Sequence, residues 1–222
     1  MTKGELAQYI DHTNLKPNAT FEDIKKLCDE ARKYGFYSVC VNPRYVEFAK
    51  DYLKGSNVKV VTVIGFPLGE NTSEIKQLEA MLAKQSGADE LDVVASISSI
   101  IMGEWDYFFN EIMQIVHDTK IPVKVILETG MLTNQQIIDA CEVCLRAGAK
   151  FVKTSTGFYK VGATLEAVKL MKDCVGEDML VKASGGIKDV KTLLDMIACG
   201  ADRIGTSNSV KIIDEFIDQN KR

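Results

Sequence analysis

Gly148-Ala149-Lys150-Phe151-Val152 ends one element and begins another, and it recurs as Gly87-Ala88-Asp89-Glu90-Leu91 and Gly200-Ala201-Asp202-Arg203-Ile204. In each copy the glycine stands where a helix end needs a left-handed backbone. A small residue then lets the chain turn back, and an apolar run follows. Upstream of each copy lies a stripe of helical period. The stripes are Ile75, Leu78, Met81 and Leu82; then Ile137, Cys141, Cys144 and Leu145; then Leu193, Leu194, Ile197 and Ala198. Helix, glycine turn and strand therefore form a repeating unit.

Working outward, more of these units emerge. Phe21, Ile24, Leu27, Cys28, Ala31 and Tyr34 make a stripe introduced by Thr20 as N-cap, with Glu22 and Asp23 in the first turn. Thr133 and Gln136 are spaced as a capping box. Leu165, Val168, Met171 and Lys172 begin one further helix, and Val210, Ile213, Phe216 and Ile217 mark the last. Between the helices lie short runs too apolar for a strand with one wet face: 38–41, 58–64, 91–94, 123–127, 151–153, 179–183 and 203–205. Such runs alternating with helices indicate a parallel sheet covered on its outside. Ile10-Asp11-His12-Thr13 brings the strands to eight, and eight units in 222 residues average about 28 each, near the lower limit for a (β/α)8 barrel. The expected architecture is one TIM-barrel catalytic domain over residues 1–222, with a short N-terminal helix. A doubly wound open sheet is the rival. It calls for a Gly-rich dinucleotide turn after the first strand, and the sequence has none there.

Composition narrows the function. The formal charge of −4 argues against a nucleic-acid partner, which needs a broad basic face, yet leaves room for a small anionic substrate. No stretch approaches the ~20 apolar residues that span a bilayer. Met1-Thr2-Lys3-Gly4-Glu5 leads into the first element without an apolar signal region. The expectation is a cytoplasmic protein without a membrane partner. Of the six cysteines, Cys141 and Cys144 form a lone C-x-x-C mid-helix, beside Ile137, Ile138 and Leu145. That placement reads as core rather than redox or zinc. With two histidines and no clustered Cys/His set, no metal site is expected.

In such a barrel the active site lies where strands end. Polar residues there include Asp11 to Thr13, Cys40, Asn42, Asp92, Glu128, Lys153 to Ser155, Lys182, Ser184, Ser207 and Asn208. Lys153 and Lys182 sit inside apolar runs on the sixth and seventh strands. Burial and a like charge each push a lysine pKa down and yield the free amine that attacks a carbonyl. The alternative is that each lysine points outward or is held by pairing with Glu128 or Asp92. Ser184-Gly185-Gly186 and Thr206-Ser207-Asn208-Ser209 follow strands seven and eight, where barrels commonly bind phosphate.

Ile10-Asp11-His12-Thr13, Val39 to Pro43, Val63 to Gly69, Glu90 to Val94, Lys124 to Thr129, Phe151 to Phe158, Lys182 to Ile187 and Arg203 to Ser207 together resemble the 2-deoxyribose-5-phosphate aldolase family. The match runs in family order from about residue 9 to 208, and the Lys-Thr-Ser-Thr-Gly-Phe and Lys-Ala-Ser-Gly-Gly-Ile segments are its most specific parts. The resemblance implies a TIM barrel that cleaves 2-deoxy-D-ribose 5-phosphate, reversibly and without metal or cofactor, to D-glyceraldehyde 3-phosphate and acetaldehyde. It implies Lys153 as the Schiff-base lysine, Lys182 as the lysine that lowers its pKa, and Asp92 as the proton-relaying carboxylate. It further implies phosphate contacts from Thr156, Gly157, Gly185, Gly186, Ser207 and Asn208, with Lys188 nearby, and a homodimer or homotetramer. Thr13 and Cys40 match positions lining the site, although Cys40 also reads as a small buried apolar residue. The sequence departs from the family pattern at Asn208, where a second Ser is common, and in its tail, Asp218 to Arg222, which lacks a Tyr. Two rivals stay open: another Schiff-base aldolase of a sugar phosphate, and a non-catalytic sugar-phosphate-binding barrel.

Overall fold

The computed structural model describes residues 1–219. Eight parallel strands close into a barrel in sequence order. They are β1 (Ile10–Asn14), β2 (Ser38–Val41), β3 (Lys59–Ile64), β4 (Glu90–Val94), β5 (Val123–Ile126), β6 (Phe151–Lys153), β7 (Leu180–Ser184) and β8 (Arg203–Thr206). Around them lie α1 (Lys3–Ala7), α2 (Phe21–Tyr34), α3 (Val46–Tyr52), α4 (Ser73–Gln85), α5 (Ile97–Met102), α6 (Trp105–Thr119), α7 (Asn134–Arg146), α8 (Leu165–Val175), α9 (Val190–Ala198) and α10 (Ser209–Gln219). The short N-terminal helix is α1.

The repeated glycine turns close α4, α7 and α9 as Schellman motifs. The amides of Gly87, Gly148 and Gly200, all at positive φ, donate to the carbonyls of Lys84, Leu145 and Ile197. The following Ala88, Ala149 and Ala201 donate to Ala83, Cys144 and Met196. Asp89 and Asp202 then fasten each new strand to the preceding one: their carboxylates accept from the amides of Val60 and Val181 at 2.8 and 2.9 Å. The capping boxes at Thr20 and Thr133 are both formed, with Asp23 and Gln136 as reciprocal partners. Cys141 and Cys144 are fully buried free thiols.

Several stripe residues face outward, among them Phe21 on α2 and Leu165 on α8, and two helices need fuller correction. The apolar row on α4 faces outward: Ile75, Leu78 and Leu82 are 50%, 53% and 52% exposed. The helix instead buries Ala80, Ala83 and the whole of Lys76. Lys76 Nζ pairs with Glu111 of α6 at 2.8 Å and donates to the Val94 carbonyl at 3.0 Å, and this buried pair sets the rotation of the helix. Likewise Leu145 is partly exposed, and the inner face of α7 is Ile137, Ala140, Cys141 and Cys144. The structure also adds α3, α5 and α6. The stripe of α6, Phe108, Ile112 and Ile115, is interrupted by buried Glu111, and its start at Glu104 has no side-chain cap, so neither usual signal announces it.

One turn constrains the mouth of the barrel. A Cβ added at Gly69, φ +76°, would lie 2.1 Å from the Ala95 carbonyl oxygen. Gly69→Ala should therefore destabilise the protein by about 2 kcal/mol or more, combining left-handed strain with steric displacement of the β4 end. Urea unfolding checks this, and an unchanged midpoint would contradict it.

Candidate active site

Strand register brings the charged residues together. Lys153 pairs in register with Lys182, Lys182 with Arg203, and Asp92 with Lys124. Asp92 is the hub. Its Oδ2 accepts from Lys153 Nζ at 2.7 Å and Lys182 Nζ at 2.8 Å, and its Oδ1 accepts from Lys124 Nζ at 2.9 Å. Asp11 accepts from Lys182 through Oδ2 and from Ser38 Oγ (2.7 Å) and Arg203 Nη1 (3.1 Å) through Oδ1. Glu90 completes the set, 2.6 Å from Lys124 and 3.5 Å from Arg203. The Arg203 guanidinium also lies 3.4 Å from the ring centre of Tyr37. Both predicted lysines thus point inward and both pair with Asp92, so the pairing that served as the alternative to a catalytic role is present within the cluster itself.

Asp11, Glu90 and Asp92 face Lys124, Lys153, Lys182 and Arg203: three carboxylates against four cations, all buried. A buried cluster with a surplus charge is costly, and the loss of one proton from a lysine neutralises it. The environments set the lysines apart. Burial, reinforced by the Lys182 charge, pushes Lys153 below the ordinary lysine value despite the opposing pull of Asp92. Burial would lower Lys182 too, but Asp11 and Asp92 outweigh it and hold that ammonium well above the usual range. Burial resists ionisation of Asp92, yet Lys124, Lys153 and Lys182 hold its carboxyl well below the usual range. Of the four cations, only Lys153 borders the large cavity, of about 1390 Å³, at the C-terminal end of the barrel.

The same cavity is bordered by Thr13, Thr156, Gly157, Gly185, Gly186, Ser207 and Asn208, and by Lys188. Gly186 and Ser207 are exposed to it. Gly185 has a packing reason of its own: a Cβ there would meet the Gly162 Cα at 2.9 Å, and its carbonyl accepts from the Ala163 amide at 3.0 Å. The amide and hydroxyl of Thr156 both donate to Glu128. The Thr13 hydroxyl donates to the Asp11 carbonyl at 2.9 Å, and the Asn208 amide donates to Thr206 Oγ1 at 3.0 Å. Cys40 is buried at the edge of the charged cluster. Its thiol is pushed up to about 11, chiefly by burial, so it is not a thiolate near neutral pH. Residues 220–222 of the tail lie outside the described residues.

The DeoC/LacD family aldolase model matches residues 5–207. The chain belongs to this family. It is an aldolase, a carbon–carbon lyase. It is similar to the deoxyribose-phosphate aldolase of Caldicellulosiruptor saccharolyticus, with 54% identity over 97% of this chain and 100% of that one. The Thermococcus kodakarensis enzyme of the same name is 53% identical over 99% of this chain and 100% of that one. Among solved structures, a tetrameric deoxyribose phosphate aldolase from Aeropyrum pernix superposes with a TM-score of 0.92 at 37% identity, covering 98% of this chain and 93% of that one. Among the described residues, no helix is long and apolar enough to cross a membrane.

The roles of Asp11, Glu90, Lys124 and Arg203 in this family member's charged cluster escaped the sequence reading. Lys124, Glu90 and Arg203 were visible as charges inside apolar strands, but which of them share a layer depends on register. The electrostatics make two opposed predictions for the pH profile of amine reactivity at Lys153. Lys182→Leu removes a like charge and should move the profile to higher pH. Asp92→Asn removes the anion that favours the ammonium and should move it to lower pH. Rates of borohydride trapping against pH measure both, and shifts in the same direction would contradict the charge balance.

Proposed function

We propose that this aldolase reversibly cleaves 2-deoxy-D-ribose 5-phosphate to D-glyceraldehyde 3-phosphate and acetaldehyde through a Schiff base on Lys153, in the breakdown of deoxyribonucleotide sugars. The observation that carries the reading is the contrast between two adjacent buried lysines. Lys153 opens onto the cavity with a depressed pKa, while Lys182 behind it is held charged. The names of the relatives supply the substrate.

The neutral Lys153 amine attacks C1 of the open-chain sugar, and loss of water gives an iminium. Transfer of the C3 hydroxyl proton to Asp92, with Lys182 and a water as the relay, accompanies cleavage of the C2–C3 bond. The bonding electrons pass into the iminium, which becomes an enamine, and glyceraldehyde 3-phosphate leaves with a new carbonyl at the former C3. Asp92 is strongly acidic in the resting site, so it holds that proton only transiently. Protonation of the enamine at C2 regenerates the iminium, and water releases acetaldehyde and the free amine. The iminium is itself the electron sink, so no step calls for a metal or cofactor. Gly157, Gly185, Gly186, Ser207 and Asn208, with Lys188 at the rim, receive the phosphate, where backbone amides and a helix N-terminus favour an anion. Thr156 shapes that wall, and Thr13 and Cys40 line the site.

The whole chain, residues 1–222, acts as one catalytic domain in the cytoplasm. It assembles as a homodimer or homotetramer, in keeping with the tetrameric relative and with the outward apolar row of α4, which a second copy would cover. Sedimentation of the purified protein checks the assembly, and a monomer at micromolar concentration would contradict it.

Borohydride reduction in the presence of acetaldehyde should leave an N-ethyl group on Lys153, located by peptide mass mapping. Lys153→Leu should abolish the label. A label on another lysine, or none, sinks the mechanism. Donor profiling should find acetaldehyde accepted, and activity confined to dihydroxyacetone-type donors would point to a different Schiff-base aldolase.

A further inference from the structure

The end of β5 carries a buried carboxylate that the aldol steps leave unused. Glu128 has φ 54° and ψ 57°, in the left-handed region where a residue with a Cβ is strained. Its side chain is fully buried. Oε2 accepts from the Thr156 amide at 3.1 Å and from the Thr156 hydroxyl at 2.6 Å. Oε1 has no hydrogen-bond partner among the described residues. Burial pushes this carboxyl above its ordinary value, against the bonds from Thr156. A strained backbone and a buried, half-satisfied carboxyl both work against stability, so the feature calls for another explanation.

Its geometry offers one. The Phe158 amide donates to Thr156 Oγ1 at 3.1 Å, and that hydroxyl in turn donates to Glu128. This chain of donors fixes the Gly157 turn, φ +79°, on the wall of the cavity just beyond Lys153. From the other side, Thr154 and Ser184 exchange bonds of 3.0 Å, hydroxyl to carbonyl and amide to hydroxyl, which tie the same segment to β7. The turn is thus clamped between two neighbouring strands, with Glu128 supplying the hydrogen bonds from the β5 side to Thr156. Among the described residues no hydrogen bond joins Glu128 to Lys153, Lys182 or Asp92; the Lys153 charge is the least of the influences on its carboxyl, and the bonded route from Glu128 runs through the turn.

We infer that Glu128 is a positioning residue that holds the Thr156–Phe158 turn in the shape that receives the phosphate end of the substrate, acting through one acceptor oxygen rather than through its charge. The inference rests on the sugar-phosphate reading above.

The test combines steady-state kinetics on 2-deoxyribose 5-phosphate with acetaldehyde trapping at Lys153. Glu128→Ala removes the acceptor and should raise KM about tenfold, the scale of buried donors left without a hydrogen-bond partner. Its kcat should stay within about threefold and its trapping should persist. Glu128→Gln keeps an acceptor oxygen on the same stem and should restore KM to within about threefold of the parent. Thr156→Val should raise KM by an intermediate factor and add little on top of Glu128→Ala, because both changes break one chain. The inference is overturned if Gln is as impaired as Ala, if the loss falls on kcat alone, or if KM does not move. Should Glu128→Ala fail to fold, an unchanged KM in Thr156→Val is decisive against it. Absence of trapping in the parent enzyme would instead sink the Schiff-base reading.

Discussion

The Asp92 carboxylate, taking hydrogen bonds from three lysine side chains inside a closed barrel, is the interaction on which the rest of the site depends. A lone carboxylate could not be ionised there, and three lysines could not be charged there without it. Asp11 and Glu90 extend the same compensation to Lys182, Lys124 and Arg203. The barrel axis is therefore a layer of matched ions, while the apolar core lies between the barrel and its helices. Closure of the sheet makes this possible, since only a closed barrel surrounds such a layer with strands on every side.

From near-balance comes asymmetry. Four cations face three anions, and position decides which lysine is pushed toward the neutral form. Lys182 is held by two carboxylates and is shut off from the cavity; Lys153 has Asp92 alone and faces open space. Two lysines with the same chemistry and nearly the same burial thus differ in proton affinity. The loops extend the logic outward. The turn after β6 is clamped by Glu128 on one side and Ser184 on the other, so Lys153 sits beneath a fixed wall.

Much of this was legible in the chain. The glycines at 87, 148 and 200 marked helix ends because positive φ has few alternatives to glycine, and all three carry the same pair of capping bonds. Strands were legible because burial on both faces leaves a continuous apolar signature, and charges within that signature flagged Lys153 and Lys182. On α4 and α6 the reading failed because of a buried ion pair. Lys76 and Glu111 look like solvated helix charges in sequence, yet they turn α4 inward-side out and break the stripe of α6. Glu128 was visible as a polar residue at a strand end and as a candidate lysine partner, a pairing replaced by its bonds to Thr156. Neither its left-handed backbone nor its bonds to Thr156 have a local sequence signal, because the partners are 28 residues apart.

The sequence by itself determined the alternation of buried strands and helices, the turns that join them, and the residue types able to do amine chemistry. These follow from short-range rules: periodicity, capping and backbone permission at glycine. Tertiary structure alone decided which charges share a layer, which lysine is pushed below its ordinary pKa, and which carboxylates hold the others in place. The reason is physical. A pKa in a buried cluster depends on distances of a few ångströms between residues as far apart in the chain as Asp11 and Arg203, and only closure of the barrel sets those distances.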